Sequence, residues 1–238
     1  MSSNPEITTS NLEPGCSPEA TPLQSPYCKY LKPALDITVA WLALIACLPI
    51  LLVAYLLILC ESPGSPIYRQ KRIGTGGKPF EIYKLRTMYD GADLLDFKTR
   101  TLDSRVTRLG RFLRDTKIDE IPQLWNVIRG EMSLIGPRPL SAEECGFITD
   151  ILGYPPDYPG FRIRVKPGLT GLEQIYRIHP SVYTDRFAWN ADYENKISLA
   201  QDLKILVTTM LMCNLVCVVT VVGGILELTW LAWLWLHH

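Results

Sequence analysis

Two long stretches without charge dominate the hydrophobic pattern of the chain. The first is Ile37–Cys60, with 24 residues, and the second is Ile205–Leu226, with 22. A helix of 24 residues extends about 36 Å at 1.5 Å per residue, which is enough for a hydrocarbon core of about 30 Å. Both stretches predict membrane segments. The second predicted segment extends over residues 205–238, because a tryptophan-rich end follows the charge-free run and tryptophan favours the membrane interface. Whether this segment crosses the membrane stays open.

The flanks of the first stretch are basic on both sides. Lys29 and Lys32 precede it, and Arg69 follows with further basic residues. Basic residues near membrane helices stay cytoplasmic, so both ends favour the same side, and Pro49 at the centre is expected to bend the helix. This favours a re-entrant helix over residues 29–62. A helix that crosses the membrane once, with a proline kink, is the alternative interpretation.

A small α/β domain is predicted over residues 63–204, between the two apolar stretches. β-like runs at 66–70 and 79–85 flank a glycine-rich turn and predict a hairpin. A phosphate-binding loop is the weaker interpretation of these glycines, because no Lys-Ser/Thr pair and no helix follow them.

The remainder of this domain is predicted to alternate helices and short strands. Residues 89–118 have a polar helical pattern, and a strand is expected within 165–176. Residues 183–204 carry apolar side chains at helical spacing, which fits an interfacial helix or a helix that faces the core equally well.

Composition predicts two further features, a disordered N-terminal tail and a reducing compartment. Residues 1–28 contain no Lys or Arg and are rich in Ser, Thr and Pro, which is typical of a disordered tail and not of a signal peptide. The seven cysteines include no C-x-x-C pair, which indicates a reducing compartment. The 24 basic and 24 acidic residues balance, so charge gives no indication of a nucleic-acid partner.

The densest chemistry lies in residues 115–139, DTKIDEIPQLWNVIRGEMSLIGPRP. Asp119 and Glu120 stand just ahead of Pro122, which suits the first turn of a helix, and a helix N-terminus favours negative charge nearby. Acids before a helix are also common caps. Basic residues crowd the approach to this pair: Arg105, Arg108, Arg111, Arg114 and Lys117. An acidic pair among so many cations predicts a metal and phosphate site.

Three further cations are candidates for binding phosphate. Arg138 lies between two prolines that form a stiff turn, and its planar guanidinium suits phosphate. Lys84 and Arg86 share one face of the second β-like run. Simple solvent exposure is the alternative for both of them.

Four segments together resemble the bacterial sugar transferase family, the small monotopic phosphoglycosyl transferases. They are KPALDITVAWLALIACLPILLVA, YRQKRIGTGGKPFEIYKLRTM, RVTRLGRFLRDTKIDEIPQLWNVIRGEMSLIGPRP and VKPGLTGLEQI. The resemblance covers residues 29–204. It implies a membrane-associated α/β fold, with an N-terminal re-entrant helix, a small cytoplasmic catalytic domain and interfacial helices. It also implies a location at the cytoplasmic face of the bacterial inner membrane.

The implied activity moves a sugar-1-phosphate from a nucleotide diphosphate sugar, expected to be a UDP-sugar, to polyprenyl (undecaprenyl) phosphate. This would initiate the synthesis of an exopolysaccharide, O-antigen or glycoconjugate. Membrane lipid and downstream glycosyltransferases are the other expected partners. By the resemblance Asp119 matches the nucleophile, and Glu120 matches the acid associated with Mg²⁺. The candidate substrate-binding residues are Lys84, Arg86, Arg105, Arg114, Gln123, Asn126 and Arg138.

The chain departs from the family pattern at a few positions. Many relatives have Ser-Leu where Lys117-Ile118 stand, and many have tryptophan in place of Leu172, which leaves the preferred nucleotide sugar open. Two other classes also stay open. One is a catalytically silent membrane scaffold that recruits other glycosyltransferases, and the other is a direct glycosyltransferase that releases a nucleoside diphosphate.

Overall fold

The computed structural model of the protein describes residues 22–89, 103–146, 150, 164–176 and 183–212. Within these residues, short helices pack around two small sheets, and one long helix runs beside them. The predicted mixture of helix and sheet is confirmed. Most of the predicted N-terminal tail and most of the predicted C-terminal membrane segment lie outside the described residues.

Two helical turns precede the long helix. They are a 3₁₀ turn, Pro22–Gln24, and a π-helical turn, Tyr27–Leu31. They begin inside the stretch that the sequence assigned to the tail. Leu23 and Tyr27 pack against the main hydrophobic core, so residues 22–28 belong to the folded domain and the prediction of a disordered tail is wrong for them.

Helix α1, Lys32–Glu61, continues through Pro49 without interruption. Among the residues that the structure describes, Tyr27–Glu61 is the one segment long and apolar enough to cross a membrane. Large apolar side chains are exposed along its whole length, which is typical of a helix that is surrounded by lipid.

The start of α1 is fixed to the domain by a buried polar network. The ammonium of Lys32 donates hydrogen bonds to the carboxylate of Asp202 at 2.7 Å and to the carbonyl of Ile135 at 2.9 Å. The hydroxyls of Tyr27 and Tyr193 donate to the same carboxylate at 2.6 and 2.7 Å. Removing one charge of a buried pair leaves the other uncompensated, so this network holds the helix firmly.

The end of α1 contacts the same domain at a second place. Ala54 and Ile58 pack in a small apolar cluster beside the hairpin. Just beyond the helix, the guanidinium of Arg86 donates to the carbonyls of Ser62 and Pro63, both at 2.6 Å. The two ends of α1 are therefore both attached to one domain.

Strands β1, Ile67–Ile73, and β2, Pro79–Leu85, form the predicted hairpin and pair antiparallel along their whole length. The connecting turn places Gly76 and Gly77 at φ values of 63° and 80°. Glycine adopts this left-handed conformation without steric cost. The glycine-rich stretch is thus the tight turn of a hairpin, as predicted.

The other strands are short. β3, Ser133–Ile135, pairs in parallel with β5, Gly168–Thr170, while β4, Leu140–Ser141, adds to β1 at the edge of the hairpin. The strand predicted within 165–176 is therefore confirmed. Two short helices follow β4 and β5, respectively: α4, Ala142–Gly146, and α5, Leu172–Tyr176.

Helix α2, Arg108–Thr116, forms within the helix predicted over residues 89–118, of which residues 90–102 lie outside the described residues and residues 103–107 are not helical. Thr107 caps it, because its hydroxyl accepts a hydrogen bond from the N–H of Gly110 at 2.8 Å. An isolated bridge between Met88 and the residue before this cap holds the chain extended there. These local bonds end the helical pattern before the cap.

Helices α6, Tyr183–Lys196, and α7, residues 199–212, complete the described part of the domain. Phe187 and Tyr193 of α6 are almost fully buried, so this helix faces the core. Residues 183–204 were predicted to form either an interfacial helix or a helix that faces the core. For α6, the second interpretation is correct.

Candidate active site

The acidic pair lies on a short 3₁₀ turn, Ile118–Gln123, that leads directly into helix α3, Leu124–Ile128. Pro122 sits inside this turn, where its fixed φ suits the tight winding. Gly130, at φ 74°, ends the helix as predicted. The turn packs against strand β2, so both carboxylates lie near Lys84, the cation of that strand.

Glu120 is paired with Lys84, one of the predicted phosphate-binding cations. The ammonium donates to Glu120 Oε1 at 2.9 Å. Burial opposes ionisation of Glu120, but the charges of Lys84 and Arg138 and the hydrogen bond from Lys84 outweigh it and lower the pKa of this carboxyl. Glu120 is therefore a stable carboxylate at neutral pH.

Asp119 lies in a different environment from its neighbour. Only 7% of it is exposed. Burial and the charge of Glu120 raise the pKa of Asp119 to about 6, against the opposing effects of Lys84, Lys117 and Arg114. Its Oδ1 atom is buried and accepts no hydrogen bond from any residue that the structure describes. A carboxyl with a raised pKa and a buried oxygen that has no partner is a candidate functional group.

Two of the predicted arginines stand beside the pair. Arg114, from α2, contributes positive charge near Asp119 and is held by a 2.7 Å hydrogen bond from its Nε to the hydroxyl of Thr87. Arg138 lies close enough to Glu120 to lower its pKa. Together with Lys84, these side chains form the cationic surroundings of the carboxylates.

Two other predicted arginines have partners outside the acidic pair. Arg86 binds the carbonyls that follow α1, as described above, and is 8% exposed. Arg105 donates two hydrogen bonds to Asp103, at 2.9 and 2.6 Å. The structure thus gives Arg86 a role in ending α1 and Arg105 a role in ordering the segment before α2. A part for either in substrate binding stays a prediction.

The two predicted amide side chains are buried beneath the site. Asn126 is completely buried; its Nδ2 donates to the carbonyl of Glu81 at 2.6 Å, and its Oδ1 accepts from the N–H of Tyr83 at 3.2 Å. These bonds attach α3 to β2. Gln123 is 5% exposed and is the N-cap residue of α3. Both residues support the surface that carries the carboxylates.

Sequence reasoning missed Lys117 as a site residue. It is the one described residue other than glycine with a positive φ, 62°, and it joins α2 to the 3₁₀ turn. Its positive charge favours the ionised form of both carboxyls. It contributes to the lowered pKa of Glu120 and partly opposes the rise in the pKa of Asp119. The basic run contained Lys117, but nothing in the sequence indicated the left-handed backbone that aims it toward the pair.

The donor set fits Mg²⁺, which binds through one or two carboxylates and takes its remaining ligands from water and substrate phosphate. Glu120, the predicted metal ligand, would supply such a carboxylate, next to the unpartnered oxygen of Asp119. No cluster of three or more His, Cys, Asp or Glu side chains occurs among the described residues. The site therefore suits a cation shared with a phosphate-bearing substrate more than an ion held by protein alone.

These features describe an α/β domain that carries a buried acidic pair among cations, beside a long apolar helix. Comparison with known proteins makes the class more specific. The chain belongs to the bacterial sugar transferase family, whose model matches residues 27–215.

Several curated relatives share this region. A UDP-glucose:undecaprenyl-phosphate glucose-1-phosphate transferase of Caulobacter vibrioides is 43% identical over 187 residues, 75% of this chain and 68% of the relative. The exopolysaccharide production protein ExoY of Rhizobium meliloti is 36% identical, over 85% of this chain and 94% of its own length. An undecaprenyl-phosphate glucose phosphotransferase of Komagataeibacter xylinus is 37% identical, and the match covers 35% of it.

Proposed function

We propose that this protein is a phosphoglycosyl transferase that moves a sugar-1-phosphate from a UDP-sugar to undecaprenyl phosphate through a covalent intermediate on Asp119. Relatives named as sugar-phosphate transferases to undecaprenyl phosphate support the reaction class. The proposal includes a place at the cytoplasmic face of the bacterial inner membrane, where the reaction would begin the synthesis of a surface polysaccharide or glycoconjugate.

The observation that carries the mechanism is the unpartnered, buried oxygen of Asp119. This oxygen would attack the phosphorus that bears the sugar, and the bond from that phosphorus to the bridging oxygen would break. The nucleoside monophosphate would then leave. In the second step, an oxygen of undecaprenyl phosphate would attack the same phosphorus and release the Asp119 carboxylate. The product would be an undecaprenyl diphosphate sugar, so the groups balance.

The cations around Asp119 would serve both steps. A carboxylate that approaches a diphosphate meets several negative oxygens, and fixed positive charges reduce this repulsion most where charge develops. Arg114, Lys84 and Arg138 would supply such charges. Glu120 would hold Mg²⁺, which when bound neutralises negative charge on the phosphate oxygens.

The apolar helix supports a membrane-embedded enzyme with a re-entrant helix. Lys32 at the start of α1 and Ser62 just beyond its end both bind the same domain, whereas the middle, from Ile45 to Ile50, is exposed and apolar. Pro49 lies in this middle part. In a re-entrant arrangement the exposed middle would enter the bilayer, and both ends would return to the side that holds the domain.

The test is to incubate purified protein with undecaprenyl phosphate, Mg²⁺ and a panel of nucleotide sugars. We expect release of a nucleoside monophosphate, and mass spectrometry of the quenched protein should place a phosphosugar on Asp119. Asp119→Asn should abolish both, and Glu120→Gln should lower the rate and the dependence on Mg²⁺. An adduct on another residue would overturn the assignment of the nucleophile.

The same assay separates the two competing classes. A direct glycosyltransferase would release a nucleoside diphosphate, because the sugar–oxygen bond would break instead. A silent scaffold would release neither product with any donor of the panel, although it would still bind the membrane.

A further inference from the structure

An apolar groove of about 310 Å³ lies between the second half of α1 and helix α2. This volume is at the lower end of the range for small-molecule sites, about 300–1,000 Å³. Its floor is formed by Ala54 and Leu113, which are 5% and 2% exposed. Its rim includes Val53, Leu57 and Phe112, which are 57%, 48% and 44% exposed. The groove is therefore shaped by packed residues and open along an apolar edge.

The groove adjoins the candidate active site directly. Ile118, which lines it, is the residue before Asp119 in the chain. Both residues belong to the same short 3₁₀ turn, so a hydrocarbon chain in the groove would lie beside the turn that carries Asp119. No charged residue lines the groove, whereas Lys117 and Arg114 stand near Asp119. This arrangement suits an amphiphile with an apolar tail and an anionic head.

We infer that this groove binds the isoprenoid tail of the acceptor, undecaprenyl phosphate, next to its phosphate, and so positions that phosphate for attack on the phosphosugar of Asp119. This inference rests on the proposed function. The tail would lie against Val53, Leu57 and Phe112, and Lys117 would face the phosphate. The groove would then decide which lipid reacts, because a tail held elsewhere along α1 would keep its phosphate away from Asp119.

The variant that tests this inference is Leu57→Trp, which should fill part of the groove. Leu56→Trp is the matched control, because Leu56 is the same residue type on the same helix and is 52% exposed, but does not line the groove. The proteins would be compared in nanodiscs by two measurements. One is the burst of nucleoside monophosphate released without acceptor, and the other is the KM for undecaprenyl phosphate.

We expect Leu57→Trp to raise the acceptor KM about tenfold, equivalent to about 1.4 kcal/mol, while the burst stays within twofold of wild type. Leu56→Trp should match wild type in both. Phe112→Ala, which removes part of the rim, is the second variant and should also raise the acceptor KM. Wild-type acceptor KM values in both Leu57→Trp and Phe112→Ala would overturn the inference.

Photolabelling distinguishes the acceptor from ordinary bilayer lipid. Undecaprenyl phosphate with a diazirine in its first isoprene units should label α1 and α2 residues of the groove, and unlabelled undecaprenyl phosphate should compete. Equal labelling by a diazirine phospholipid would show that bilayer lipid fills the groove, and would overturn the inference. A wild-type protein that releases no nucleoside monophosphate would instead refute the proposed function.

Discussion

Asp119 is an unfavourable residue for folding at neutral pH. Its folded pKa is about 6 against an ordinary value of 3.8. A raised carboxyl pKa means that protonation favours the folded state, so this group's contribution to stability is complete below pH 3.8 and is lost as the pH rises from there through about 6. At 1.36 kcal/mol per pKa unit, the ionised form costs roughly 3 kcal/mol at pH 7.5.

Asp119→Asn should therefore stabilise the protein at pH 7.5 while it abolishes transfer. We expect a gain of about 1–3 kcal/mol in unfolding free energy with EDTA present, shrinking as the pH falls toward 4.5. Thermal unfolding in detergent at several pH values measures this gain. Asp115→Asn, at an exposed position of α2, is the matched control and should keep the unfolding free energy of wild type at pH 7.5. A loss of stability in Asp119→Asn at pH 7.5 would contradict the explanation.

Lys117 combines backbone strain with useful charge. A residue with a Cβ at φ 62° costs about 1–2 kcal/mol relative to the right-handed region. Lys117→Gly should remove this strain and raise the unfolding free energy by about 1 kcal/mol. It also removes a positive charge beside both carboxylates. We expect the transfer rate to fall about tenfold, a loss of about 1.4 kcal/mol.

Lys117→Asn separates the two effects. Asparagine tolerates the left-handed region but is neutral, so its rate should fall like that of the glycine variant, with a smaller gain in stability. Thermal unfolding and steady-state kinetics provide both measurements. A glycine variant that keeps the full rate would show that the charge of Lys117 is not used.

At the scale of elements, helix α2 depends on close contact at Gly110. A Cβ at this position would lie 2.1 Å from the carbonyl oxygen of Thr87. Helix propensity alone predicts that Gly110→Ala stabilises the helix by about 1 kcal/mol. We expect the opposite, a loss of about 1–3 kcal/mol, because α2 must move away from the chain that follows β2.

The shift of α2 should also displace Arg114 from the candidate active site, because the Nε of Arg114 donates a hydrogen bond to the hydroxyl of Thr87. Kinetics of Gly110→Ala should therefore show a lower transfer rate. Asp115→Ala on the same helix removes an exposed side chain without a clash and is the matched control. Equal or higher melting temperature for Gly110→Ala would refute the argument from contact.

Arg86 ends helix α1 by binding two carbonyls beyond it. Arg86→Lys keeps the charge but loses the planar fork, so it cannot bind both carbonyls in the same geometry. We expect a loss of about 1–3 kcal/mol in stability, with an unchanged KM for the nucleotide sugar in the folded fraction. A raised donor KM at unchanged stability would instead favour the substrate-binding role predicted from sequence.

Sequence patterns predicted the hairpin, the strand near Gly168 and the end of α3, because each depends on local turn chemistry or periodicity. They could not predict bonds between distant segments. Asp36 is an example: it stands at the edge of the first apolar stretch, where an acid is costly and so calls for a partner. That partner, the hydroxyl of Ser133 at 2.6 Å, lies far along the chain.

The candidate site also has some features that the local sequence predicts and others that depend on contacts between distant segments. The identities of Asp119 and Glu120, and the cations around them, are visible in the sequence. The unequal environments of the two carboxyls are not, because they arise from burial and from Lys84, a residue on another element. Asn126 illustrates the converse: it is a predicted substrate-binding residue, and no local pattern indicated that its amide joins α3 to β2. A part in substrate binding stays a prediction.

At the scale of the whole molecule, the attachment of both ends of α1 to one domain has a consequence for topology. The helix has 30 residues, about 45 Å if straight at 1.5 Å per residue. Lys32 binds Asp202 at one end, and Arg86 binds Ser62 beyond the other. A helix that crossed a bilayer would separate these contacts onto opposite faces of the membrane.

We therefore predict that residues 25 and 78, which flank α1, lie on the same cytoplasmic side. Ser25→Cys and Lys78→Cys, each in a background without the seven native cysteines, should resist a membrane-impermeant maleimide in intact cells and react after permeabilisation. A periplasmic cysteine marker in the same cells must react in both conditions. Each variant must also keep nucleoside monophosphate release, so that the labelled protein is the active form.

Pro49→Ala provides a second test of the same topology. Proline disfavours a straight helix by about 3 kcal/mol, so its replacement should let a fraction of molecules span the membrane and expose residue 25 outside. Moving the N-terminus outward is opposed by the basic residues Lys29 and Lys32, at about 1 kcal/mol each near an anionic leaflet, and by the loss of the Lys32–Asp202 pair. The externally labelled fraction should therefore be small, and Lys32→Gln combined with Pro49→Ala should enlarge it. External labelling of residue 25 in the protein with Pro49 intact would show that α1 spans the bilayer and that the re-entrant arrangement is wrong.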